Sequence, residues 1–246
     1  MLVFSLAVCL YGISNYVYTH ISEKLDYYIQ RSSTVELDSK FRDSVWSCLY
    51  FTNLLVLQTY MLSGFEWCSN EFLNNNIVIN KTTLNGFRFV NTYMSTYYIS
   101  DTIKIFLNKD DPSRTEYLIH HIFTLLLILG GNYYNFHEFG MVISYIHHIA
   151  DVILYFSKAV SYILPCIPDK YRKGAENINS LMFLSFGAIF IYTRLVLFNT
   201  VINYVPSENF TIKIVLRGLY CLHIYWSYLI VKGTYNILTG NKLNVD

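Results

Sequence analysis

Apolar stretches separated by short polar breaks divide the chain into seven blocks, at 2–18, 45–65, 89–107, 117–133, 139–164, 178–202 and 212–238. Each is close to the roughly 20 residues that a helix needs to cross the apolar core of a bilayer. The breaks hold Asp110-Asp111-Pro112-Ser113, Pro165 with Pro168, and Pro206-Ser207-Glu208-Asn209, residue types that end helices and form turns. The pattern predicts an all-α, polytopic membrane protein of about seven transmembrane helices. No internal repeat interrupts it, and it leaves no room for a separate soluble domain.

Composition sharpens that picture. Of 246 residues, 53% are hydrophobic and 14% charged, against about 25% charged in an ordinary soluble domain. The formal net charge is +1, without the concentrated basic face that a nucleic-acid surface requires. The five cysteines (Cys9, Cys48, Cys68, Cys166, Cys221) show no C-x-x-C spacing, so they read as buried apolar residues rather than a disulfide framework or zinc site. Trp46, Trp67, Trp226 and many tyrosines are expected in interfacial belts or in packing.

The placement of Lys and Arg orients the chain. Alternate connections and the C-terminal end hold Lys24, Arg31, Lys40 and Arg42, then Lys109 and Arg114, then Lys170, Arg172 and Lys173, then Lys232 and Lys242. The opposite set holds only Lys81 and Arg88. The positive-inside rule puts the first set in the cytosol, with the N-terminus outward. With no basic residue ahead of it, the first segment reads as a reverse signal anchor rather than a cleaved signal peptide. The sequons Asn80-Lys81-Thr82 and Asn209-Phe210-Thr211 both fall on the side assigned to the lumen.

Titratable residues inside such segments are costly and mark function. The fourth carries His120, His121 and Thr124, and the fifth carries His147, His148 and Asp151. His120 and Thr124 share a helix face at i,i+4, with His121 about 100° around. His147 and Asp151 are also i,i+4 neighbours, so the carboxylate is expected to orient the imidazole. Four histidines and an aspartate suit either metal binding or proton transfer and nucleophilic catalysis. Seven histidines in the whole chain, with His20, His137 and His223 lying apart, favour the acid–base reading. Lys158 lies two turns beyond Asp151 and is expected to pair with it or to reach the cytosolic interface. Asp101 and Lys104 are expected to neutralise one another, and Arg194 to need a partner.

These residues resemble a known family. His120-His121-x-x-Thr124 followed by His147-x-x-x-Asp151 is similar to the Lag1 motif of ceramide synthases, in the TRAM-Lag1-CLN8 (TLC) superfamily. Lys40 to Trp46 (K-F-R-D-S-V-W), Tyr192 to Phe198 (Y-T-R-L-V-L-F) and His223 to Ile230 (H-I-Y-W-S-Y-L-I) resemble further family segments, in order. The resemblance implies a TLC domain over 40–238, preceded by an N-terminal anchor and cytosolic connection (1–39) and followed by a short cytosolic tail (239–246). It implies a six-helix bundle around a cavity open to the cytosol, with the first helix packed outside.

The activity implied is N-acylation of a sphingoid base by fatty acyl-CoA in the endoplasmic reticulum membrane. Acyl-CoA is then a co-substrate, with no cofactor, no metal and no nucleic-acid partner, and a homo- or hetero-dimer is allowed. His120 or His121 would be base or acyl acceptor, and His147 with Asp151 would position the amine or relay its proton. Thr124, Lys158 and Arg194 would line the substrate site. Arg42, Lys109, Arg114, Lys170, Arg172 and Lys173 would meet the CoA phosphates or serve topology alone.

Three features depart from the family. His148 stands where the family has aspartate, Asp43 stands for glutamate, and neither the luminal N-terminal tail nor a homeobox-like insert is found in these residues. Two alternatives stay open: a TLC protein that binds or moves lipid without catalysis, and a metal-dependent lipid hydroxylase.

Overall fold

A computed structural model describes residues 2–32, 39–67, 80–107, 114–205 and 209–239. Cys68, Lys109, the break 110–113, residues 206–208 and the tail from 240, with Lys242, lie outside the described residues. Seven helices account for nearly all of the rest: α1 Leu2–Ser32, α2 Ser39–Leu62, α3 Lys81–Leu107, α4 Arg114–Tyr133, α5 His137–Ile163, α6 Asp169–Ile191 and α7 Phe210–Leu238. Beyond Ile191, α6 runs on through a π-helical turn, Tyr192–Leu197, into Phe198–Asn203.

The protein is an all-α, polytopic membrane protein, as the seven apolar blocks predict. Four stretches are long and apolar enough by themselves to cross a bilayer: Lys40–Leu62, His137–Cys166, Asp169–Asn203 and Phe210–Asn236. The other three helices fall short of that measure because they carry polar residues. In α3 these include Asn91, Asp101 and Lys104, and in α4 they are Arg114, Glu116 and the His120-His121 doublet. Among them Asp101, Arg114 and His121 reach across the α3–α4 contact.

Helices α2, α3, α4, α7, α6 and α5 touch in that cyclic order, and α5 closes the ring against α2. Helix α1 lies outside, against α2 and α3. The expected six-plus-one arrangement is therefore present. Two local devices set the entry angles of the helices that matter most. Asn80 caps α3 by accepting a hydrogen bond from the Thr83 amide at 2.8 Å. Between α4 and α5 the chain turns in three residues: Asn135 takes φ = 57°, a left-handed conformation that asparagine tolerates. The Phe136 amide then donates back to the Gly131 carbonyl at 2.8 Å, closing a Schellman-type end.

Aromatic stacking joins α2 to α3. Tyr50 lies on Tyr97 with ring centroids 4.4 Å apart, and Trp46 stacks on both at 5.4 and 5.2 Å. Trp46, and Trp67, which packs edge-on to Tyr145 at 5.4 Å, thus take part in packing. The α4–α7 contact depends instead on a missing side chain, since a Cβ on Gly218 would stand 2.9 Å from the Phe123 ring. Gly218→Ile should therefore force these helices apart and destabilise the protein by about 1–3 kcal/mol. A lowered melting temperature in detergent would be the measure, and an unchanged one would show that Phe123 moves aside freely.

Candidate functional site

Each histidine doublet is split by the helix that carries it, because adjacent residues project about 100° apart. In α4, His121 faces α3. Its Nδ1 lies 3.3 Å from Thr102 Oγ1 and its Nε2 3.6 Å from Asp101 Oδ2, with the Tyr98 ring edge-on at 5.2 Å. His120 faces the interior instead, 5.2 Å from Trp226 and 6.5 Å from His223 between ring centroids. In α5, His148 faces α2, where its Nδ1 meets Gln58 Oε1 at 2.8 Å. Gln58 Nε2 donates onward to Ser144 Oγ at 2.7 Å, and Ser144 donates to the Met141 carbonyl at 3.0 Å. His147 faces the interior, 5.0 Å from His223 and 5.1 Å from Phe198.

The outward members are thus tied to neighbouring helices and the inward members are not. His147 Nδ1 donates to the Ile143 carbonyl at 2.6 Å, which leaves the lone pair on Nε2. That Nε2, His120 Nδ1 and both ring nitrogens of His223 are buried with no hydrogen-bond partner among the described residues. Buried polar atoms are normally paired, so orphan nitrogens turned into one chamber mark a place for a polar ligand. Phe190, Phe198 and Trp226 wall the chamber.

One sequence expectation is overturned here and one is narrowed. Asp151 does not hold the His147 ring. Its Oδ1 accepts from Arg194 Nη2 at 2.8 Å, and the same nitrogen donates to the His147 carbonyl at 2.9 Å. Arg194, on the π-helical turn, has its guanidinium 5.5 Å from the Phe190 ring centre. It clamps α6 to α5, and a carboxylate is the partner that desolvation of a guanidinium demands. Lys158 does not pair with Asp151 but sits over the rings of Tyr155 and Tyr117, at 5.6 and 6.0 Å. Asp101 and Lys104 make no close salt bridge, since Asp101 lies 3.6 Å from His121 Nε2 and Lys104 lies over Trp46 at 5.2 Å, but the Lys104 charge still acts on the Asp101 carboxylate, as expected. Sequence reasoning also missed His223 and set Trp226 among belt or packing residues. The available signal was His223 itself, a titratable residue within an apolar segment.

A pocket opens beside the chamber, lined by residues of α3, α4, α5 and α7. His147, Tyr98 and Thr124 lie at one end of it, and Gly131, Phe136 and Ile212 at the other. Eleven residues of α5 separate Phe136 from His147, a run of about 16 Å at 1.5 Å per residue. Thr124 donates its hydroxyl to the His120 carbonyl at 2.9 Å, so it presents mainly its methyl to the pocket. The cavity was expected to open at the end that carries the basic connections. This pocket instead runs from the chamber toward the α4–α5 turn, at the opposite end.

The basic residues proposed for phosphate are partly committed. Arg114 donates to the Ile105 and Phe106 carbonyls and finishes α3. Arg172 donates to the Ile167 carbonyl and pairs with Asp169 at 2.7 Å. Arg42 lies 3.8 Å from Asp26 and lines a second, polar pocket between α1, α2 and α3. Lys170 and Lys173 are exposed. Among the described residues no three His, Cys, Asp or Glu side chains converge as metal ligands.

The ring of six helices around intramembrane histidines defines a class. Residues 40–232 match the model of the TLC domain, and the chain belongs to the TLC-domain family. It is 25% identical to bovine (Bos taurus) ceramide synthase 4 over 221 residues, 85% of this chain and 54% of that protein. It is likewise 25% identical to human (Homo sapiens) ceramide synthase 1, covering 82% of this chain and 62% of that protein. The ceramide synthase LOH1 of Arabidopsis thaliana matches at 25% identity over 78% of this chain and 66% of its own length. The chain therefore spans between about half and two thirds of the curated relatives it matches.

The Arg194–Asp151 clamp makes a testable claim. Asp151→Leu or Arg194→Met alone leaves an uncompensated buried charge and should destabilise the protein by about 3–5 kcal/mol, whereas replacing both should cost much less. Thermal melts of the four proteins measure the coupling, and additive losses would refute it.

Proposed function

We propose that this chain is a ceramide synthase, transferring a fatty acyl group from acyl-CoA to the amine of a sphingoid base inside the endoplasmic reticulum membrane. The observation that carries this reading is the chamber of unpartnered imidazoles at the end of a long apolar pocket. The names of the relatives support it independently. The pocket suits a hydrocarbon chain, since each buried methylene contributes about 0.8 kcal/mol. An acyl chain seated there points its thioester at the chamber, with the CoA moiety at the basic, cytosolic end. The orientation with a luminal N-terminus follows from the basic connections.

In this reading His147 acts as base. Its Nδ1–H is held by Ile143, so its Nε2 lone pair takes the proton of the attacking amine. His120, on the facing helix, takes the acyl group or returns a proton to the sulfur. By either route one N–C bond forms, one C–S bond breaks and one proton passes from amine to thiol. His121 and His148 hold α4 and α5 in register through Asp101, Thr102 and Gln58. His148 thus does its work on the α2 side, which accounts for a chain that lacks the family's aspartate at this position.

Membranes containing the protein, given a sphingoid base and a ladder of acyl-CoA lengths, should form ceramide. His120→Ala and His147→Ala should lower the rate by about 10²–10⁴-fold, and His148→Gln should lose much less. Ceramide formation absent in the wild type, with lipid still bound, would replace this reading with that of a non-catalytic lipid-binding TLC protein. The far end of the pocket yields a second prediction. A Cβ on Gly131 meets only the Phe136 carbonyl, at 3.7 Å, so Gly131→Leu has room to fill the pocket from that end. The preferred acyl-CoA should become shorter, and an unchanged ladder would place the acyl chain elsewhere.

A further inference from the structure

His223 lies at the centre of the chamber. It is fully buried, both of its ring nitrogens lack a partner among the described residues, and its backbone is fixed in α7, where the Ser227 hydroxyl donates to its carbonyl at 2.8 Å. Its ring centroid stands 5.0 Å from that of His147 and 6.5 Å from that of His120. Phe198 touches His147 and His223, and Trp226 touches His120 and His223. Among the described ring contacts, the residue that meets both imidazoles is His223. Three titratable rings from three helices, α4, α5 and α7, thus share one apolar box, beside Arg194 of α6, whose Nη2 is held by Asp151 while its charge bears on His223 and His120.

A packing role explains this poorly. A phenylalanine would fill the same space without burying polar ring nitrogens. What an imidazole adds is the ability to accept a proton on one nitrogen while releasing one from the other. We propose that His223 is the proton relay of the site, connecting His147 to His120 directly or through one bridging water.

The step rests on the acyl-transfer reading and balances within it. The amine proton goes to His147 Nε2 as the N–C bond forms. His147 passes it to one nitrogen of His223, and the other nitrogen gives its own proton to His120. From there it reaches the sulfur as the C–S bond breaks. No electron leaves the system and no further reactant is needed.

The experiment compares the wild-type protein in lipid nanodiscs with His223→Phe, which keeps ring and volume, and His223→Gln, which keeps hydrogen bonding without relaying a proton. Both variants should melt close to the wild type. Both should lose about 10²-fold or more in kcat while KM for acyl-CoA and for the base stays within about threefold. Wild-type kcat in His223→Phe overturns the relay, and recovery in His223→Gln alone reduces His223 to a hydrogen-bonding residue and also overturns it.

An assay-independent readout separates this inference from the acyl-transfer reading. With ¹⁵N-labelled histidine, His223→Phe should move the imidazole nitrogen signals of both His147 and His120, and leave those of His148 in its separate Gln58 network. Unmoved signals at His147 and His120 would refute the connection whether or not ceramide forms. A wild type that makes no ceramide, yet shows the shifts, fails the proposed activity and keeps the imidazole trio.

Discussion

An imidazole inside a membrane has no water to turn to, and two imidazoles on adjacent helical positions cannot face the same way. These two facts together shape the molecule. The 100° step between neighbours sends one member of each doublet inward and the other toward an adjacent helix. The outward members must then find protein partners, because an unpaired polar group in this setting costs several kcal/mol. His121 finds Asp101 and Thr102 on α3, and His148 finds Gln58 on α2. The doublets are therefore hinges of packing as much as sources of chemistry. Each fixes the rotation of its own helix, and so aims the inward ring.

Much of this was legible in the sequence. Helix count, the alternation of basic connections and the placement of positions 120, 121, 147, 148 and 151 within the helices follow from hydropathy and from the expense of burying titratable groups. What the sequence withheld were contacts between helices far apart in the chain. His147 and Asp151 share a helix face, which made their pairing the local expectation. The guanidinium of Arg194, 43 residues away, is the stronger partner, because only a full opposite charge offsets the desolvation of a buried cation. Lys158 was narrowed for a related reason: in an aromatic-rich chain a lysine can rest on ring faces, as it does on Tyr155 and Tyr117.

His223 shows a second limit. Singly placed, with no repeated pattern around it, it looks like an isolated polar residue on an apolar helix. Its meaning arises only when α7 is set beside α4 in the ring, and nothing local specifies that neighbour. The pocket was likewise misplaced. Its location depends on where small residues, Gly131 and Gly140, leave space near the α4–α5 turn, and glycine spacing alone does not separate a void from a close helix contact. Gly218, which admits the Phe123 ring, is the second kind.

The three-residue turn between α4 and α5 bears on how the protein is made. With so short a connection, the two helices that carry His120 and His147 are close neighbours along the chain and come together at small cost in loop entropy, although in the ring they face one another across the chamber and each packs mainly on other helices. His223 is encoded some 75 residues later and reaches the chamber only when α7 docks against α4 and α6. Until that docking, the chamber lacks one wall and its third ring. A chain whose α7 has not yet docked would thus hold the two histidine-bearing helices with an open side facing lipid. Completion of the last helix closes the fold and assembles its chemistry in a single event.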